Sequence, residues 1–217
     1  MKLRNINFIT FEGIDGSGKS TVLKLIYKRL LDLKLNKDII ITREPGGTPL
    51  AEKIREIVLG NDMLPITETL LYSASRAEHV NNLIKPEIKK GNIILCDRFL
   101  QSSLAYQGFF NKVGYKNVKL LNKFSVGNIK PDLIFFLNIS TETSINRLDD
   151  RAEKDRFDSS SIERKKILIN AYDYVLKKSK NVHYIDGEQK LDVIVNQIFE
   201  IITNTFYFQN IIAKGNK

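Results

Sequence analysis

A chain of 217 residues, 42% hydrophobic and 27% charged, can bury one sizeable core, which argues against wholesale disorder. No stretch reaches the roughly 20 unbroken apolar residues of a membrane-spanning helix, and the one cysteine, Cys96, excludes an internal disulfide and suits a cytoplasmic setting. The net charge of +9 is spread along the length, with no run beyond Lys89-Lys90 or Arg164-Lys165-Lys166, so it reads as general Lys and Asn usage rather than a nucleic-acid-binding stripe.

The opening Met1 to Asn5 leads into a strand pattern rather than the apolar core of a signal peptide. From there, short apolar runs alternate with longer amphipathic stretches, the pattern of a parallel α/β sheet. Residues 6–11 read as the first strand. The helix after it repeats Val22, Leu25, Ile26, Arg29, Leu30 and Leu33 at three- and four-residue spacing. Residues 38–42, with Ile39-Ile40-Ile41, read as a second strand buried on both faces. Residues 92–96, 132–137 and 181–185 complete five strands, with helices near 49–59, 67–84, 115–126, 141–149, 160–178 and 189–203. Breaks fall at Pro45-Gly46-Gly47, Gly60-Asn61-Asp62, Lys90-Gly91-Asn92 and Asp186-Gly187. No repeat or composition shift marks a boundary, so one domain is expected over 1–217, with a fraying tail at about 205–217.

Gly13-Ile14-Asp15-Gly16-Ser17-Gly18-Lys19-Ser20 fits the phosphate-loop pattern G-x-x-x-x-G-K-[ST] between an apolar strand and an amphipathic helix. Its glycines let backbone N–H groups approach phosphate oxygens, and the helix dipole points its positive end at the same anion. Lys19 is placed for the β- and γ-phosphates of a nucleoside triphosphate, and the Ser20 hydroxyl for magnesium. A guanine-reading N-K-x-D is not present: Asn36-Lys37-Asp38 lacks the spacer and precedes the second strand.

The acceptor site is expected at the carboxyl ends of the strands. The second strand ends in Arg43-Glu44-Pro45-Gly46-Gly47-Thr48 and the third in Asp97-Arg98. Either arginine could grip a phosphate through paired hydrogen bonds, or pair structurally with Glu44 or Asp97. Asp97 is placed to support a magnesium shell beside Ser20. On the helix of residues 67–84, Tyr72, Ser75, Arg76 and His79 share one arc, with Leu70, Ala74, Ala77 and Ile84 roughly opposite. Tyr72 and Arg76 could stack on a base and bond its edge. His79 reads as a partly exposed helix residue without a ligating neighbour.

Taken together, Phe11 to Thr21, Thr42 to Thr48, Asp97-Arg98 and Ser102-Ser103-Leu104-Ala105-Tyr106-Gln107-Gly108 resemble the thymidylate kinase family over about residues 8–202. The resemblance implies an α/β P-loop NTPase fold, a five-stranded parallel sheet flanked by helices with a short lid. It implies phosphorylation of dTMP to dTDP with ATP and Mg2+, in the supply of dTTP. ATP would bind Gly13, Ile14, Asp15, Gly16, Ser17, Gly18, Lys19, Ser20 and Thr21, with Ser20 and Asp97 holding the metal. Bound dTMP would meet Asp15, Arg43, Tyr72, Arg76, Arg98, Ser102, Tyr106 and Gln107, with Asp15 on the sugar 3′-hydroxyl. Tyr72 departs from the Phe usual in the family.

The resemblance also implies a lid at about 147–158, matched by Arg147, Arg151, Asp155 and Arg156. Some members carry an arginine where this loop has Ser17; those without it rely on lid arginines, so Lys19, Arg98, Arg151 and Arg156 are the implied catalytic set. A homodimer through the 67–84 region is implied too. Two alternatives stay open on the residues: a kinase for another pyrimidine monophosphate such as dUMP, and a basic P-loop ATPase that binds nucleic acid.

Overall fold

The computed structural model describes residues 6–149 and 162–205. Its strands are β1 (Phe8–Glu12), β2 (Ile39–Arg43), β3 (Ile93–Asp97), β4 (Leu133–Asn138) and β5 (Val182–Asp186). They form one sheet in the order β2-β3-β1-β4-β5, with every neighbouring pair parallel. The helices are α1 (Lys19–Asp32), α2 (Pro49–Gly60), α3 (Pro65–His79), α4 (Lys85–Lys90), α5 (Leu100–Ser103), α6 (Tyr115–Val126), α7 (Thr141–Asp149), α8 (Ile162–Leu176) and α9 (Leu191–Asn204). Two π-helical segments, Val80–Ile84 and Leu104–Phe110, join α3 to α4 and extend α5.

Each expected strand is present; β2 to β5 start just after the polar residue expected to open them (Asp38, Asn92, Asp132 and Asn181), and β1 starts at Phe8, two residues after Ile6. The reason is local: Asp132 Oδ2 accepts from the backbone N–H of Asn7 at 2.9 Å and of Phe8 at 3.0 Å, and Asn92 Oδ1 accepts from that of Asp38 at 3.1 Å. These side chains tie neighbouring strand entries together instead of extending the ladders.

β2 corrects one expectation. It is an edge strand paired to β3 alone, and Ile41 is 41% exposed, so β2 is not buried on both faces. The fully covered strand is β1, buried at every residue. Its period of two sends Ile9 and Phe11 to one face, where Val22, Leu23, Ile26 and Leu30 of α1 pack with Ile194, Ile198 and Ile202 of α9. Phe8 goes to the other face, edge-on to Phe99 at 4.9 Å. Fully burying such a side chain contributes about 1.5–3 kcal/mol. Glu12 shares the Phe8 face, so the last residue of β1 carries a carboxyl beneath α5.

The stretch from α5 through Phe110 lies outside the helices expected from periodicity. Gln101, Ser102, Ser103 and Gln107 are polar yet buried, so the apolar rhythm that marks a helix is missing there. No helix among the described residues is long and apolar enough to cross a membrane. The expected lid beyond Asp149, including Arg151, Asp155 and Arg156, and the tail beyond Thr205 lie outside the described residues.

Candidate active site

The carboxyl ends of β1, β2 and β3 lie level, with Phe11 and Arg43 both in register with Asp97. The phosphate loop leaves β1 and enters α1 through Gly18, which is left-handed at φ 84°. A Cβ on Gly18 would meet nothing within 4 Å, so backbone conformation rather than crowding requires glycine there. No side chain caps α1, which keeps the first-turn N–H groups available for an anion.

Lys19 is buried, and its Nζ donates to the Ile14 carbonyl at 2.9 Å and the Ser17 hydroxyl at 3.2 Å. Burial and then the positive charge of Arg98 push its pKa down to about 8, against the upward pull of Asp97, Asp15 and Glu12. Beside it, Ser20 Oγ donates to Asp97 Oδ2 at 2.5 Å. The other oxygen, Asp97 Oδ1, is buried and accepts no hydrogen bond from any described residue. A hydroxyl and a half-engaged carboxylate at the mouth of a phosphate loop fit a hard divalent cation.

Arg98 follows directly on β3 in a left-handed conformation, φ 69°. For a bulky residue this costs on the order of 1–3 kcal/mol and persists only where surroundings fix it. Here they do: Nη1 donates to the Gly13 carbonyl at 3.0 Å, Tyr172 Oη at 3.1 Å and Ser102 Oγ at 3.2 Å, and Nη2 to Asp15 Oδ1. The guanidinium also lies over the Tyr106 ring, 5.1 Å from its centroid. The Tyr106 hydroxyl donates to Asp15 Oδ2 at 2.9 Å. Burial alone would raise the Asp15 pKa, but the charges of Arg98 and Lys19 outweigh it and hold it at about 2.

Under this cluster sits Glu12, which accepts from Ser102 Oγ at 2.5 Å, the Phe99 N–H at 2.8 Å and Tyr172 Oη at 3.3 Å. Complete burial raises its pKa despite those donors and the Arg98 charge. Glu12 and Tyr172 therefore hold Ser102 and Arg98 from below, roles that the phosphate-loop pattern, starting at Gly13, does not cover.

The polar arc of α3 faces inward, while Leu70 on the other side is 51% exposed. Arg76 is buried: Nε donates to Glu44 Oε2 at 2.7 Å, Nη1 to Ser103 Oγ at 2.9 Å and to Asn122 Oδ1, and Nη2 to the Phe99 carbonyl at 3.3 Å. His79 is not partly exposed, as its helix position suggested, but wholly buried. Its Nδ1 lies 3.1 Å from Glu44 Oε1 and its Nε2 2.7 Å from Thr42 Oγ1. A Cβ on Gly47, at φ 89°, would lie 2.5 Å from that Nε2, so the glycine also makes room for the imidazole. A single-sequence helix wheel cannot see that the β2–α2 loop closes over this face.

Two cavities meet here. One, of about 790 Å³ and open to solvent, is lined by Tyr72, Arg76, Ser102, Ser103, Tyr106 and Gln107 among others. The other runs along Gly16, Gly18, Lys19, Ser20, Thr21, Arg43 and Asp97. Asp15, Glu44, Arg55 and Arg98 border both. Arg43 thus lines the phosphate channel, exposed and paired to Glu52 at 2.8 Å rather than to Glu44 or Asp97. Arg55 was not singled out by sequence, although it is three residues from Glu52 on α2 and shares its face; its Nη1 donates to the Pro45 carbonyl at 3.2 Å. Of the expected lid residues, Arg147 is described: its Nη2 donates to the Gly187 carbonyl at 3.0 Å, and its Nη1 lies 3.5 Å from that of Gly16.

A family model described as thymidylate kinase matches residues 11–198. A thymidylate kinase of Finegoldia magna is 40% identical over 198 residues, 90% of this chain and 97% of that one. That of Malacoplasma penetrans is 42% identical over 205 residues, 91% of this chain and 96% of the other. The crystal structure of thymidylate kinase from Ehrlichia chaffeensis aligns with a TM-score of 0.76 at 28% identity, covering 92% of this chain and 100% of that one. The similarity runs from the end of β1 into α9 and so spans the walls of both cavities: the chain belongs to the thymidylate kinase family.

Proposed function

We propose that this protein transfers the γ-phosphoryl group of ATP to the phosphate of dTMP, giving dTDP and ADP. One observation carries the reading: the phosphate-loop cavity and the cavity lined by Tyr72 and Arg76 share a wall containing Asp15, Arg55 and Arg98. A donor phosphate on Lys19 and an acceptor phosphate between Arg43, Arg55 and Arg98 would meet across that wall.

Such a transfer needs alignment and charge stabilisation rather than a covalent intermediate. Lys19 holds the β- and γ-phosphates, and its loop N–H groups fix the remaining oxygens. Arg98, locked by Asp15 and Ser102, positions the dTMP phosphate in line. Tyr72 stacks on the base, Arg76 and Gln107 bond its edge, and Asp15 with Tyr106 faces the sugar. Ser20 and Asp97 would hold Mg2+, which supplies electrostatic neutralisation of the donor phosphate oxygens. Arg151 and Arg156, which lie outside the described residues, would supply positive charge to the transferring group. Two chains associate through the apolar surface of α3 and α6, where Ile66, Leu70, Leu120 and Phe124 are 49%, 51%, 68% and 89% exposed.

The test is ADP release from MgATP with dTMP, dUMP, dGMP, UMP and AMP as acceptors. Strong preference for dTMP is expected. Turnover with a different acceptor alone, or ATP consumption independent of any monophosphate, overturns the assignment.

A further inference from the structure

Resting on the dTMP reading, we propose that Glu68 is a positioning residue that sets the hydrogen-bond polarity of the base cavity. It makes that cavity select a base edge offering N–H beside C=O, the imide edge of thymine and uracil, against cytosine.

Glu68 lies in the first turn of α3, four residues before Tyr72 and eight before Arg76, on the same helix face. It is buried, and its Oε1 accepts two amide donors: Gln107 Nε2 at 3.1 Å and Asn111 Nδ2 at 2.7 Å. Gln107 lies in the π-helical segment and Asn111 follows it directly, closing it with its N–H on the Tyr106 carbonyl at 2.8 Å. A carboxylate has acceptors only, so an amide facing it must present NH2. The Gln107 carbonyl is thereby turned from Glu68, and no described residue donates to it, while Gln107 lines the base cavity.

Arg76 lines the same cavity with its Nε on Glu44, both Nη1 hydrogens engaged and one Nη2 hydrogen on the Phe99 carbonyl. One Nη2 hydrogen is left for a ligand. The cavity so presents an acceptor from Gln107 and a donor from Arg76. The N3–H and O4 of thymine or uracil complement that pair. Cytosine presents the reverse, a bare N3 and a 4-amino group, setting donor against donor and acceptor against acceptor. Two buried carboxylates, Glu44 and Glu68, hold this polarity from behind, and with Glu68 present the Gln107 amide cannot turn over to suit cytosine.

The experiment compares kcat/KM for dTMP, dUMP and dCMP in wild type and Glu68→Gln. Glutamine at 68 can donate as well as accept, which frees the Gln107 amide to turn. The dTMP-to-dCMP ratio is expected to fall about tenfold or more, as for losing one oriented hydrogen bond, with the dTMP-to-dUMP ratio unchanged. Glu68→Asp, still acceptor-only, is expected to keep the wild-type ratio. An unchanged dTMP-to-dCMP ratio in folded Glu68→Gln, or a parallel loss on all three substrates, overturns the proposal. If Glu68→Gln does not fold, Gln107→Leu carries the test: it must narrow the dTMP-to-dCMP ratio, and parallel loss again overturns it. Failure of the dTMP reading itself would appear separately, as a wild-type protein inactive on dTMP.

Discussion

The Arg98 guanidinium, from the residue that follows β3, is seated on the carboxylate of Asp15, inside the loop that follows β1. The pair ties the proposed acceptor site to the donor loop and fixes a backbone that is left-handed at Arg98. Asp15→Asn leaves Arg98 with neutral partners. Folding lowers the Asp15 pKa from 3.8 to about 2. Its stabilising contribution is therefore complete above pH 3.8 and lost as pH falls through about 2, because there the unfolded chain binds more protons. Urea titrations are expected to show Asp15→Asn less stable than wild type by about 1–2 kcal/mol at pH 7, with the gap closing towards pH 2. A gap that is constant over that range would remove charge pairing as its cause. In kinetics the same variant is expected to lower kcat/KM for dTMP more than for ATP.

The Lys19 pKa of about 8 places its charge loss within reach of ordinary assays. The pH profile of kcat/KM for ATP, which reports the free enzyme, is expected to fall on its alkaline side with a midpoint near 8. Lys19→Arg, charged throughout, is expected to lose that limb, and Lys19→Ala to lower kcat by at least about a hundredfold with folding intact. An alkaline limb that survives in Lys19→Arg would assign the titration to another group. The stability trend runs oppositely: between pH of about 8 and 10.5 the unfolded chain holds the extra proton, so this residue makes stability rise with pH there.

The sheet and the phosphate loop were legible in the sequence because both obey local rules: apolar runs of strand length, and glycine spacing before Lys19. The burial of β2 was misjudged because Ile39-Ile40-Ile41 looks alike at a sheet edge and at its centre, and strand order is a long-range property. Glu12, Arg55, Glu68 and Tyr172 escaped notice for a related reason. Glu12, Glu68 and Tyr172 meet partners far along the chain, such as Tyr172 on Gly13 at a separation of 159 residues, and no short motif carries that spacing; Arg55 meets the Pro45 carbonyl across a loop whose path the residue pattern does not give. His79 was misplaced since a helix wheel treats polar residues as outward. Here the inward face is polar because it lines a cavity, and the side carrying Leu70 and Ala74 is the one left exposed.

His79 joins Thr42 and Glu44 in a buried chain that ends on Arg76. His79→Leu leaves the Glu44 carboxylate and the Thr42 hydroxyl each short of a partner. The expected cost is about 2 kcal/mol or more of stability, from two buried polar groups left unsatisfied. Because Glu44 orients Arg76, KM for dTMP is expected to rise several-fold while kcat changes less. His79→Gln, which can restore one bond, is expected to recover part of the affinity. If apparent kcat fell in both variants with KM for dTMP unchanged, the chain would serve folding and not substrate.

The lid makes a prediction in the chemical step. Ser17 stands where some members of the family carry an arginine, and on the proposed reading Arg151 and Arg156 add to Lys19 and Arg98 the positive charge that the loop lacks. Arg151→Ala and Arg156→Ala are each expected to lower kcat about tenfold or more at saturating ATP and dTMP, the scale for removing a cation that acts on transition-state charge. Unchanged kcat in both would end the assignment of catalysis to the lid.

Phe124 is 89% exposed on α6, with Leu120 one helical turn away at 68% and Ile66 and Leu70 on α3 at 49% and 51%. Soluble surfaces rarely leave apolar groups of this size clustered without a covering partner. α6 also carries Asn122, which accepts from Arg76, and Ser125, which donates to the Ser73 carbonyl at 3.0 Å. Covering this face would therefore steady α6 and the Arg76 that it holds in the cavity wall. Phe124→Glu places a charge at the most exposed of these apolar residues, which an apolar interface cannot bury unpaired. Sedimentation at micromolar protein is expected to show a dimer for wild type and a monomer for Phe124→Glu, with KM for dTMP raised in the monomer. A wild-type protein that sediments as a monomer would refute the pairing, whereas a monomeric variant with unchanged KM would separate assembly from the base site.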